Sequence, residues 1–138
     1  MKIQLKSNKV LFLQFFPIDN DVEVSEIEIK NQDHFSFDLE VSFPTQKNHK
    51  LFTVTTQATL VRKDRYLLQI IFSSEFETNK TIDTKFKASK FPYINAPAIA
   101  YPFFRATIAT ILINSGWEPY YLPSVNFEKL YNEKNSSR

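Results

Sequence analysis

Hydrophobic and polar positions alternate along most of residues 3 to 78, then give way to a helical period near the C-terminus. Ile3 and Leu5, then Val10, Phe12 and Leu13, predict a first strand, and the run Val10–Phe16 is apolar enough to be covered on both faces. Pro17-Ile-Asp-Asn-Asp ends it by removing a backbone donor and supplying turn-formers. Val22-Glu-Val24 and Ile27-Glu-Ile29 alternate with opposite parity, which predicts a bulge or a chain crossing near Ser25 and Glu26. His34 to Phe43 alternates through Phe35, Phe37, Leu39 and Val41 up to Pro44. A hairpin follows. Phe52, Val54, Thr56, Ala58 and Leu60 share one face, Tyr66, Leu68, Ile70 and Phe72 share one face of the return strand, and Arg62-Lys-Asp64-Arg turns the chain. Residues 79–95 show no period and read as a connector.

Helices are predicted over about 96–115 and 125–133. Asn95 is positioned to cap the first, Pro97 fits its first turn, Pro102 should kink it and Gly116 should end it. Asn126 is the natural cap of the second. Strands first and helices last is an α+β order: a four-stranded antiparallel sheet with two C-terminal helices packed on one face, in one domain over residues 1–138. The first helix has two apolar sides. Residues at 99, 103, 106, 110 and 113 follow helical spacing, and so do those at 101, 104, 108 and 112 on a different side. A sheet from the same chain covers only one side, so a partner subunit is expected on the other. Tyr101, Phe104, Arg105, Ile108, Ile111 and Leu112 are assigned to that interface, and a charge at Ile108 or Ile111 is expected to break assembly.

Composition removes most enzymatic readings. There is no cysteine, so thiol catalysis, iron–sulfur clusters and disulfides are excluded, and a reducing compartment is suited. A single Gly argues against glycine-cradled phosphate sites. His34 and His49 lack a third metal ligand at any recognisable spacing. Glu23, Glu26 and Glu28 alternate with apolar residues, as a strand's wet face would, and no serine has a spaced histidine partner. The expectation is a protein with no catalytic residues, no metal and no cofactor.

A net charge of +2 is no nucleic-acid footprint, although the charges segregate: acids outnumber Lys30 over residues 19–40, and lysines outnumber Asp83 over 80–90. The N-terminal MKIQLKSNK and VLFLQFFPI imitate a secretion signal, yet acids rather than a small-residue cleavage site follow. Over 96–113, Arg105 and two prolines argue against membrane insertion, since a mid-span arginine costs about 2.5–3.5 kcal/mol. A cytoplasmic protein is expected. The positive signal is aromatic: with 14 Phe, 6 Tyr and one Trp, rings are abundant. Trp117, Tyr120, Tyr121 and Leu122 gather in a proline-flanked turn between the helices, where rings either cap a small core or form an adhesive rim.

The last quarter of the chain resembles the SecB family of export chaperones. Pro97, Ile99, Pro102, Phe103 and Arg105 fall on the family's P-N-I-L-F-P-Y-A-R stretch. Leu122, Val125-Asn126-Phe127, Glu128, Leu130 and Tyr131 fall on its L-x-P-V-N-F-D-x-L-[FY] stretch, with no gap between the two. Fainter similarity places Phe35-Ser36-Phe37-Asp38-Leu39 on a V-x-L-D-L element. The resemblance implies a homotetramer built as a dimer of dimers. It also implies a groove for non-native polypeptide between the crossover loop and the second helix with its preceding turn. Position by position, that groove would use Trp117, Tyr120, Tyr121 and Leu122, with Phe15, Phe16, Val22, Val24 and Ile27 from the first strand and crossover.

The family's docking patch for the export motor SecA is not reproduced: Leu67 matches its apolar member, but Gln69 stands where the family has a glutamate. A dedicated chaperone, for instance of an antitoxin, is therefore weighed beside general export. Two other classes stay open, an oligomeric interaction domain without chaperone activity and a protein binding a small hydrophobic ligand in the aromatic pocket.

Overall fold

The computed structural model describes residues 1–18 and 32–136. Its elements are β1 (Ile3–Pro17), β2 (His34–Ser42), β3 (Leu51–Arg62), β4 (Tyr66–Thr78), a short α1 (Thr84–Lys87), α2 (Ala96–Asn114) and α3 (Phe127–Ser136). The strands form a four-stranded sheet in the order β1-β4-β3-β2. The architecture is α+β, an antiparallel sheet with the helices on its C-terminal side. Contacts gather into two compact units. One comprises Met1–Ser7, Val41–Val54 and Ser74–Arg138, the other Asn8–Glu40 and Thr55–Ser73.

The central hairpin follows its sequence pattern. Phe52, Val54, Thr56, Ala58 and Leu60 are buried on β3, as are Tyr66, Leu68, Ile70 and Phe72 on β4, while Thr53, Thr55, Gln69 and Ile71 between them are only partly buried. Strand side chains alternate faces, so burial at every second residue means one face is closed. Asp64 turns the chain with a φ of 60°, and the Arg65 amide closes the turn on the Arg62 carbonyl at 2.9 Å. Aspartate tolerates this left-handed backbone because its short polar side chain can bond locally.

In the first unit the core gathers Phe52, Val54, Phe76, Phe86, Ala96 and Ala100. Phe52 stacks on Phe76 at 5.3 Å and meets the edge of Phe86 at 5.6 Å. Ala96 and Ala100 give α2 a smooth face, so its first turns approach these rings closely. In the second unit Val61 and Leu67 form a smaller cluster with Phe16 and Ile18 packed against it.

Three sequence expectations change. The apolar run of β1 is not covered on both faces: Val10, Leu11, Phe12 and Leu13 are 40%, 57%, 47% and 45% exposed. β1 is also an edge strand, with β4 as its only neighbour among the described residues. The connector contains structure: Asp83 accepts from the Phe86 amide at 2.8 Å and caps α1. A wide helical turn over Phe91–Asn95 leads directly into α2. Asn95 therefore does not cap α2, because the chain is already helical there and its side chain makes no capping bond. Val22, Val24 and Ile27, with the expected crossover, lie outside the described residues.

Candidate functional site

The site is the connector between α2 and α3, and both helix ends fix its course. Helix α2 closes with paired bonds, Trp117 amide to Leu112 carbonyl at 2.9 Å and Gly116 amide to Ile113 carbonyl at 3.1 Å. This is the Schellman arrangement, which requires a left-handed residue at its turning point. Gly116 supplies it with a φ of +88°. At the other end the Asn126 side chain accepts from the Lys129 amide at 3.0 Å and caps α3. Midway, the Tyr101 hydroxyl donates to the Pro123 carbonyl at 2.6 Å, tying the connector to α2.

Tyr101 is the hub beneath the connector. Its ring lies edge-on to Phe127 at 5.5 Å and beside Phe104 at 6.2 Å, while the Arg105 guanidinium sits 5.9 Å from its centre. Burial pushes the Tyr101 phenol above its ordinary pKa; Arg105 pulls it down and Tyr120 adds to the rise. A protonated phenol is what the bond to Pro123 requires, since the hydroxyl is its donor. Tyr93 and Tyr131 pair at 5.7 Å nearby.

The connector's rings divide clearly. Tyr121 is 68% exposed, Trp117 and Tyr120 are half-buried, and Leu122 is 1% exposed. Three of the four expected groove residues can thus meet a ligand from this connector, but Leu122 cannot. It is a core residue that pins the connector down. Phe15 and Phe16 are half-buried in the second unit, with Phe15 against Tyr66 at 5.5 Å and Phe16 on the Val61–Leu67 cluster.

The interface assignment on α2 is corrected as well. Tyr101, Phe104, Ile108 and Leu112 are buried within the chain, at 5%, 0%, 0% and 0% exposure. Arg105 and Ile111 are half-buried at the border. The open side carries Ile99, Phe103 and Ile113, at 40%, 50% and 55% exposure. Both apolar stripes exist as the sequence shows, and the chain itself buries the one assigned to a partner while leaving the other open. The sequence held one signal for this: the buried stripe is large and apolar at every position, whereas Ala106 and Thr110 interrupt the open one with small side chains.

Leu67, the expected docking residue, is 0% exposed. Gln69 lines a shallow hollow of about 370 Å³ with Phe12, Phe37, Gln57 and Ile71. His49 pairs with the Gln46 side chain at 2.6 Å.

Comparison with known proteins fixes the relationship. The family model described as SecB, preprotein translocase subunit SecB, matches residues 17–138. The protein-export protein SecB of Methylibium petroleiphilum is 45% identical over 38 residues, 28% of this chain and 23% of that protein. An uncharacterised protein of Methanocaldococcus jannaschii is 30% identical over 109 residues, 75% of this chain and 68% of that protein. The SecB of Herminiimonas arsenicoxydans is 28% identical over 82 residues, 59% of this chain and 49% of that protein. Among solved structures, the Mycobacterium tuberculosis SecB-like chaperone Rv1957, in complex with a ChAD peptide from the HigA1 antitoxin, aligns with a TM-score of 0.59 at 12% identity, covering 89% of this chain and 90% of that one. A Streptococcus agalactiae protein of unknown function aligns equally well, at 0.59 and 11% identity over 90% of this chain and 98% of that one. By the family match across nearly its whole length, the chain belongs to the SecB family.

Proposed function

We propose that this protein is an ATP-independent holdase that captures non-native polypeptide segments at the α2–α3 connector. The observation that carries this is the exposed Tyr121 flanked by half-buried Trp117 and Tyr120 on a backbone anchored at both ends. Anchored rings offer apolar area with little motion to lose on binding. Family membership supports the reading, as does the peptide bound to the M. tuberculosis neighbour. Each buried client side chain contributes about 1.5–3 kcal/mol, while ordering the segment takes back about 2–5 kcal/mol. A single site therefore binds weakly and without sequence rules. Several sites on one assembly hold a long unfolded chain far more tightly. No catalytic step belongs to this mechanism.

The assembly we propose is a homotetramer, a dimer of dimers. Such an assembly needs two different self-contacts. Among the described residues, the Val10–Leu13 edge of β1 and the Ile99–Phe103–Ile113 side of α2 are two open apolar surfaces. The helical run Phe91–Asn114 is also long and apolar enough to cross a membrane. Its Phe104, Ile108 and Leu112 are instead fully buried in the folded chain, which supports a core helix over a membrane span, and the family match supports a cytoplasmic protein.

The wild-type protein is expected to suppress aggregation of a denatured test protein without nucleotide. No suppression at molar excess would leave only an oligomeric interaction domain. Dedicated clients, of which an antitoxin is one kind, fit this chain better than general export. With Leu67 buried and a neutral Gln69 beside it, no charge-assisted SecA contact forms there. SecA binding is expected to be weaker than micromolar at physiological salt. Tighter binding that is lost on Gln69→Ala would overturn this.

A further inference from the structure

The loop before β3 and the segment after β4 are joined by backbone bonds. The Thr78 amide donates to the Lys50 carbonyl at 2.7 Å, and the Ile82 amide to the His49 carbonyl at 2.8 Å. The Thr78 hydroxyl also reaches the Lys50 and Lys80 carbonyls, at 3.2 and 2.5 Å. These bonds join the two stretches that carry Lys47 and Lys87, lysines far apart in the sequence that line the same hollow. Between them opens a hollow of about 580 Å³, with Phe43, Pro44 and Ile82 among its lining residues and Lys47 and Lys87 at its charged positions.

Two details give the hollow its sign. The one carboxylate in its lining, Asp83, is already committed to the Phe86 amide as the cap of α1. The Lys87 ammonium stands 5.4 Å from the centre of the Phe43 ring, so charge and apolar surface are presented together. Two lysines facing one committed acid leave a positive field over an apolar lining, in a space the size of an ordinary ligand cleft.

We infer that this hollow is a second client contact, selecting non-native segments in which aspartate or glutamate flanks an apolar side chain. The inference rests on the holdase reading and adds a substrate preference to it. The apolar residue enters between Phe43 and Ile82, and the neighbouring carboxylates meet Lys47 and Lys87. Lysine offers a point charge that a carboxylate or a phosphate can meet, but a phosphate backbone brings no apolar side chain to fill the space between Phe43 and Ile82. An acidic polypeptide is therefore favoured over a nucleic acid.

The test uses two fluorescent peptides of identical apolar sequence, one with acidic and one with lysine flanks, titrated with the full chain at two salt concentrations. The acidic peptide is expected to bind more tightly, with the advantage shrinking as salt rises. Lys47→Glu with Lys87→Glu should weaken the acidic peptide about three- to tenfold, the scale of one or two exposed charge pairs. It should leave the lysine peptide unchanged or improved. Lys47→Gln with Lys87→Gln, which only removes charge, should act in the same direction if the reversed variant proves poorly folded. Tyr121→Ala should weaken both peptides alike, so loss of general binding and loss of charge preference are read separately. Equal binding of the two peptides, or a single-stranded oligonucleotide binding more tightly than the acidic peptide at the same salt, would overturn the assignment.

Discussion

Replacing Ile108 with aspartate is expected to unfold the protein, whereas the same charge at Ile113 is expected to leave it folded and to abolish the self-association proposed above. Ile108 is 0% exposed, and truncating such a residue to alanine already costs about 2–5 kcal/mol. A carboxylate there adds the desolvation of an unpaired charge, and the total matches the whole stability of an ordinary domain, about 5–15 kcal/mol. Ile113 is 55% exposed, so the isolated fold registers its replacement within about 0.5 kcal/mol. A contact between copies registers it fully, because the charge would be buried against apolar side chains. Denaturation midpoint and sedimentation, measured on both variants, separate the effects. A folded Ile108→Asp monomer would restore that residue to the interface, and an Ile113→Asp variant with unchanged assembly would remove the open side of α2 from it.

The second large contrast is expected within the connector. Tyr121→Ala changes unfolding free energy by about 1 kcal/mol or less, as surface substitutions do. It nevertheless weakens capture of an unfolded client several-fold, because avidity multiplies a small loss at each site across the subunits. Its neighbour behaves oppositely. Leu122→Ala removes a side chain only 1% exposed and costs about 2–5 kcal/mol, with affinity per folded molecule unchanged. Chemical denaturation and client titration on the same two variants decide the matter. If Tyr121→Ala lost stability but not affinity, the rings would be closing the core and not holding a client.

The contrast between adjacent residues shows how far the sequence could be read. The β3–β4 hairpin was legible to the residue, since period-two burial on both strands leaves one consistent register and Asp64 marks the turn. The end of α2 was legible too, because a lone glycine after a long apolar helix has few other uses. The roles of the two α2 stripes were not. Both satisfy the same spacing, and periodicity reports that a face is buried without saying by which chain. Likewise Val10–Leu13 reads as a doubly covered strand, but its place at the sheet edge is set by strand order, which local pattern does not carry. The short α1 did leave a signal, Asp83 three residues before the buried Phe86, which a reading based on hydrophobic period passes over. The convergence of Lys47 on Lys87 had none, as it depends on backbone bonds between distant segments.

In the proposed assembly, the open edge of β1 would couple folding to abundance. Val10 to Leu13 form a continuous apolar strand whose outer side meets no other strand among the described residues, and only another strand can cover the side chains and pair the backbone at once. A contact made by the native state and not by the unfolded chain raises stability by mass action, so the melting temperature should climb with protein concentration. Dilution would then do what heating does, releasing protomers whose naked edge resembles the segments the protein is proposed to hold. At low copy number the proposed chaperone would become a client of its own kind. A melting temperature that stays flat across a hundredfold dilution series, roughly 2.7 kcal/mol of linkage at that ratio, would show that β1 is stable without a neighbour.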